Sequence, residues 1–320
     1  MSSRRVFVAA LLLAALGEVS VPSPGCASQE LTVAIVWSES LAPYKAAVGA
    51  FQDEFRRNRY RLKPRFIDLN AGETDTATLV RRINELNPAL ILAVGTQAAQ
   101  VVGKNIRDIP VVFSMVLDPV ETGIVQTWDA PGGNITGVCL KIPAAVQFRR
   151  LKEVLPGLRR VGMLYDGNAS SGLRDEAEKA ARSMGLELVA QPVYAYDEVV
   201  DALDILLRDV GCLWAITDSL IYTPASAKHI LLTTLREKIP VMAFSAAYVK
   251  AGALVAVECD YGDIGRQTAR LAVEVARGKE PGTLPVALSG KTLLFLNKGV
   301  AEVLGIAIPN SVLRQADEVY

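Results

Sequence analysis

The 320-residue chain has one histidine, His229, and four cysteines. A single histidine leaves one imidazole to act as a base. His229 sits between Lys228 and Ile230 on an expected helix, where a surface or boundary role is ordinary, so Ser-His-Asp or Cys-His catalysis has little to build on. Cys139, Cys212 and Cys259 each fall in an apolar, strand-like run without Cys-x-x-Cys spacing, which makes them small core residues rather than metal ligands. Charge of neither sign is in excess. With 34 basic and 34 acidic residues and no basic block, nothing points to nucleic acid or a charged membrane surface. Phosphate-binding fingerprints are missing too: Gly103-Lys104 lacks P-loop spacing, and no Gly-x-Gly-x-x-Gly follows an expected strand. No cofactor and no metal are expected.

Long apolar runs are scarce. The one at residues 6–16 follows Arg4-Arg5 and precedes a small-residue and proline segment, the order of a secretory signal expected over 1–27. It is short of the roughly 20 residues that span a bilayer, and no other segment qualifies. The mature chain is therefore expected outside the cytoplasm, in the periplasm or at the outer face of the cytoplasmic membrane. Two processing routes stay open. Ser23-Pro24-Gly25-Cys26 reads as a lipobox with a polar residue in place of an aliphatic one, which would acylate Cys26; alternatively, ordinary signal peptidase cuts near 25–28.

What is present is apolar sequence in short pieces: 51% of residues are hydrophobic, enough for a large core, and the length implies about two domains. Residues 90–97, Leu-Ile-Leu-Ala-Val-Gly-Thr-Gln, read as a strand buried on both faces that hands over to a helix at Thr96. Strands are expected also at 31–37, 61–68 and 109–117, with helices at 43–56, 73–84 and around 101–106 between them. That alternation implies βαβ crossovers and a parallel sheet. The pattern then repeats at an offset of about 120 to 130 residues: 160–165 matches 31–37, 211–218 matches 90–97, and 238–245 matches 108–114. The fold class is α/β, with two similar Rossmann-like lobes. The remaining strands at 253–257 and 292–297 and the helices at 264–277 and 298–304 must pack back on those lobes. They supply crossings, and crossings act as hinges.

The candidate binding residues are polar side chains at the carboxyl ends of the expected strands: Ser38, Glu39, Thr96, Gln97, Asp118, Asn168, Thr217, Asp218, Ser245 and Asp260. Ligands of open α/β sheets bind at that edge. Hydroxyls and helix N-terminal N–H groups suit a carboxylate, and Asp218 or Asp260 suits an ammonium. Trp37, Tyr44 and Tyr261 lie near these loops, whereas Trp214, inside a strand, reads as core. No pairing of nucleophile and base is evident, so a binding protein is expected and not an enzyme.

Several stretches resemble one family. They are Gly-Thr-Gln-Ala-Ala-Gln at 95–100, Ile-Pro-Val-Val-Phe at 109–113 with Asp118-Pro119-Val120, Gly-Asn-Ile-Thr-Gly at 133–137, Leu155-Pro156 leading into 160–165, Tyr-Val-Lys-Ala-Gly-Ala-Leu at 248–254, Asp260-Tyr261 with Gly265-Arg266-Gln267, and the closing Ile308-Pro309 and Ala316-Asp317-Glu318-Val319. Together they resemble the solute-binding proteins of ABC transporters, in the group of type I periplasmic-binding folds that includes predicted binders of tryptophan, tyrosine and phenylalanine. The resemblance implies two lobes joined by a three-crossing hinge, 29–138 plus 261–284 and 139–260 plus 285–320. They would close on an amino-acid-like ligand as a monomer that serves a membrane permease. A sensor subunit signalling to a membrane receptor or kinase would share these features. One departure stands out: where the family often has His-Pro, this chain has Ser38-Glu39-Ser40-Leu41-Ala42-Pro43.

Overall fold

The computed structural model describes residues 30–58, 60–70 and 75–320. The expected signal segment and Cys26 lie outside them. The first half runs β1 (Glu30–Trp37), α1 (Ala42–Arg57), β2 (Arg61–Asp68), α2 (Thr76–Leu86), β3 (Leu90–Val94), α3 (Thr96–Asn105), β4 (Val111–Val116) and β5 (Ile135–Cys139). These strands form one all-parallel sheet in the order β2-β1-β3-β4-β5. Every residue of β3, β4 and β5 is buried, as continuous Val, Ile and Leu runs require when helices cover both faces. Local signals start the helices: the Asp75 carboxylate accepts from the N–H of Thr78 at 3.0 Å and caps α2.

The second half runs α4 (Ala144–Val154), β6 (Arg160–Asp166), α5 (Ser171–Ser183), β7 (Glu187–Val193), α6 (Val199–Leu206), β8 (Cys212–Trp214), α7 (Pro224–Arg236), β9 (Val241–Ala243), α8 (Ala246–Ala251) and β10 (Val255–Cys259). After these come α9 (Tyr261–Ala276), β11 (Thr292–Leu296), α10 (Lys298–Leu304), α11 (Asn310–Leu313) and β12 (Glu318–Val319). The second sheet is ordered β12-β11-β10-β9-β8-β6-β7. Its part β7-β6-β8-β9-β10 repeats the strand order of the first sheet, so β5 and β10 are equivalent. The sheet is not wholly parallel, because β11 returns antiparallel beside β10.

Each fifth strand hands its following helix to the other lobe. After β5 the chain crosses at 140–143, and α4 packs on α5 and β10. After β10 it crosses back at Asp260, and α9 packs along α1 and over β4 and β5. The third crossing leaves Ala287, bridged to Val138, for β11. Gly265 makes the α1–α9 contact possible, since a Cβ there would sit 2.0 Å from the Ala47 carbonyl oxygen. Trp214 belongs to the core of the second lobe, 1% exposed and edge-on to Phe148.

Candidate functional site

At the end of β4 the register shifts between Ser114 and Val116, and Met115 adopts φ +61°, a left-handed conformation rare for a side chain of this size. The bulge redirects the chain so that Leu117, Asp118, Val120 and Glu121 border a cavity of about 780 Å3. The loops after β6, β8 and β9, the end of β10, and residues 140–142 of the first crossing complete it. Its walls are largely apolar: Leu117, Trp128, Ile142, Leu173, Ile216 and Phe244 contribute. Phe244 is held by Tyr222 and Tyr248, with ring centroids 6.0 and 4.6 Å away.

Polar groups in the cavity are fixed by hydrogen bonds. Asp118 accepts from the N–H groups of Val120 and Glu121 at 3.1 and 3.0 Å through one oxygen, and from the Lys141 ammonium at 3.0 Å through the other. Lys141 also bonds Glu176 at 2.8 Å and lies 5.6 Å over the Trp128 ring. Burial works to lower the Lys141 pKa, but the bonds to Glu176 and Asp118 outweigh it and hold the ammonium protonated. Glu258 accepts from the Ala246 N–H at 2.8 Å and from the Tyr261 hydroxyl. The Tyr261 hydroxyl is pushed well up by burial first and by Glu258 second, so it stays protonated and donates to Glu258. Gln147 donates to the Ile142 carbonyl and accepts from the Trp214 indole at 2.8 Å. Burial, and then the negative charge of Asp118, raise the carboxyl of Glu121, which faces the same space.

Of the residues expected from the sequence, Asp118, Thr217 and Ser245 line this cavity. Tyr261 does too, and Trp37, Tyr44 and Trp214 do not. Of the other expected residues, Ser38, Asp218 and Asp260 hold loops or helix ends together. Ser38 is buried, and its hydroxyl accepts from the Ala98 N–H at 2.9 Å, capping α3 beside Gly95. Glu39 and Gln97 are exposed, Thr96 opens α3, and exposed Asn168 donates its N–H to Asp166 at 2.8 Å. Asp218, expected to meet an ammonium, already accepts from Asp166, Leu220 and Ile221 N–H groups and the Ser170 hydroxyl. Asp260 caps α9 through Asp263 and bonds Lys291 at 3.1 Å. Sequence reasoning missed Glu121, Trp128, Lys141, Gln147 and Glu258. Lys141 carried a usable signal, as the first charge after the apolar end of β5.

The two cysteines that end β5 and β10 add no reactive group. Burial lifts the thiols of Cys139 and Cys259 to about 11 and about 12, which keeps them as unreactive thiols. Among the described residues no group of three His, Cys, Asp or Glu side chains could hold a metal ion. The arrangement can surround a small molecule.

Comparison with known proteins agrees. A curated tyrosine-binding protein of Clostridioides difficile is 27% identical over 263 residues, 81% of this chain and 75% of that protein. A crystal structure of an ABC domain in complex with L-Trp from Streptococcus pneumoniae is 25% identical, covers 91% of this chain and 100% of its own, and superposes with a TM-score of 0.71. The ligand-free, open structure of a C. difficile substrate-binding protein with adhesive properties, CD0873, shares the fold at 23% identity and a TM-score of 0.79, over 90% of this chain and 99% of that one. The model of the ABC transporter substrate binding protein family matches residues 33–320, and the chain belongs to that family of extracytoplasmic, non-enzymatic binding proteins.

Proposed function

We propose that the inter-lobe cavity binds an amino acid with a large apolar side chain and that the protein delivers it to an ABC permease as the capture component of an importer. The observation that carries this reading is the cavity itself. Its volume of about 780 Å3 lies between parts of both lobes, with apolar walls and a few fixed charges and hydroxyls. A side chain such as that of tryptophan or tyrosine would pack between Trp128 and Phe244. Thr217, Ser245 and Glu121 are left to meet the backbone charges of the ligand. The tyrosine-binding relative and the relative seen in complex with L-Trp support the same ligand class. The loop at 38–43, where the departure lies, is not among the residues that line the cavity.

The moving bodies would be 29–138 with 261–284 and 139–260 with 285–320, rotating about the three crossings. Export by the 1–27 signal would place the protein in the periplasm or, if Cys26 is acylated, at the outer face of the cytoplasmic membrane. It would act there as a monomer. Micromolar capture needs about 8 kcal/mol net. A few charge-assisted hydrogen bonds at about 1.5–3 kcal/mol each, with burial of the side chain, reach that after ordering costs. A thermal-shift screen of the mature protein tests the ligand class: tryptophan, tyrosine and phenylalanine should raise its melting temperature, while sugars and dicarboxylic acids should not. A shift with sugars alone would reject this reading.

A further inference from the structure

Lys141 stands on the first crossing, and its ammonium is held from both lobes. Asp118, which follows β4 of the first sheet, accepts from it at 3.0 Å; Glu176, on α5 against the second sheet, lies 2.8 Å away. Each acid is fixed at its own end. The second oxygen of Asp118 takes the Val120 and Glu121 N–H groups, and that of Glu176 takes the Ala144 N–H at 3.3 Å, where α4 begins. The side chains of Lys141, Asp118 and Glu176 are 23%, 17% and 35% exposed, so solvent screens them only in part. Arg266 also reaches two acids, Asp260 and Asp263 at 3.8 and 3.4 Å, but all three belong to α9 and its cap, so that cluster does not join loops of different lobes.

We propose that Lys141 is a positioning residue for ligand capture. By tying Asp118 to Glu176 it sets the angle between the lobes in the ligand-free protein, and with it the fraction of molecules poised to bind. The inference rests on the hinge closure proposed above. A tie of this kind acts through population: apparent affinity falls in proportion to the fraction of chains in the binding-competent arrangement. Glu176 separates this role from direct ligand contact, because it is absent from the cavity lining whereas Lys141 and Asp118 are part of it.

The test is a pair of spin labels on the two lobes, Asp53→Cys on α1 and Asp204→Cys on α6, in a Cys26→Ser background; the other three cysteines are buried. Distances are measured without ligand and with saturating L-tryptophan or L-tyrosine. In the ligand-free protein Glu176→Gln should broaden or shift the inter-lobe distribution and weaken binding of the same amino acid about fivefold, the low end of inter-site coupling. Lys141→Met should do the same, and Lys141→Arg, whose guanidinium reaches two carboxylates, should restore the parent distribution. A Glu176→Gln distribution superimposable on that of the parent overturns the inference, whether or not an amino acid binds. If the parent binds the amino acid without any change in inter-lobe distance, hinge closure itself fails and the inference falls with it. If the parent closes and Glu176→Gln behaves identically, only the role of Lys141 is lost.

Discussion

The Asp218 carboxylate accepts the N–H groups of Asp166, Leu220 and Ile221 at 3.1, 2.9 and 3.3 Å, and the Ser170 hydroxyl at 3.4 Å. It joins the loop after β6 to the loop after β8, and both loops border the cavity. Asp218→Ala would strand those donors and should lower stability by about 1–3 kcal/mol, read as a fall in the urea midpoint at unchanged m. A midpoint unmoved by the substitution would free Asp218 for a ligand. Asp260 gives a pH test. Burial would raise its carboxyl, but the Asp263 N–H and then the Lys291 ammonium outweigh burial and hold it below the ordinary value. A folded-state pKa below the unfolded one contributes stability at higher pH, and that stability is lost as pH falls through the folded value. Asp260→Asn should therefore flatten the drop in melting temperature below about pH 4, the ordinary carboxylate range. Both aspartates were visible in the sequence as polar residues at strand ends, but whether a carboxylate there meets a ligand or its own loop was not. That depends on which N–H groups the turn points inward, and residue type does not record it.

At the scale of elements, the buried strands and most helices follow from apolar runs and caps, and β2 and α10 have the bounds their patterns give. Two elements that build the site were not legible. β5, Ile-Thr-Gly-Val-Cys, is strand-like around Cys139, but a run this short with Thr136 and Gly137 inside does not announce its place in the sheet, and α4 is recognised only by what it packs against in the other lobe. The antiparallel return of β11 was equally hidden. Its residues read as a strand, but direction is set by the chain crossing back from Ala287. The α1–α9 seam offers a paired test. Gly265→Ala should destabilise by about 1–3 kcal/mol, since its methyl group would meet the Ala47 carbonyl. Gly49→Ala, one helix away with nothing within 4 Å of the new Cβ, should be neutral or stabilising by up to about 1 kcal/mol. Chemical denaturation of the two variants checks both, and equal effects would mean that the helices do not pack this closely.

For the molecule as a whole, the repeat explains why the cavity lies between two halves. Both sheets share one strand order, their carboxyl ends border the same space, and each fifth strand, ending in Cys139 or Cys259, sends its helix to the opposite lobe. The offset was readable in the sequence and carried the two-lobed fold with it. The exchange of helices was not, because no periodicity distinguishes a helix that returns to its own sheet from one that crosses. The cavity therefore gathers residues from chain segments as distant as Glu121 and Tyr261, and its charged members come from the loop after β4 (Asp118, Glu121), the first crossing (Lys141) and β10 (Glu258). The most direct measurement is a calorimetric titration of the mature protein with L-tryptophan and L-tyrosine at several temperatures. The account predicts one molecule bound per chain with at least micromolar affinity, and a negative heat-capacity change as the side chain is buried between apolar walls. Absence of heat with both amino acids up to millimolar concentration, at every temperature, would contradict it.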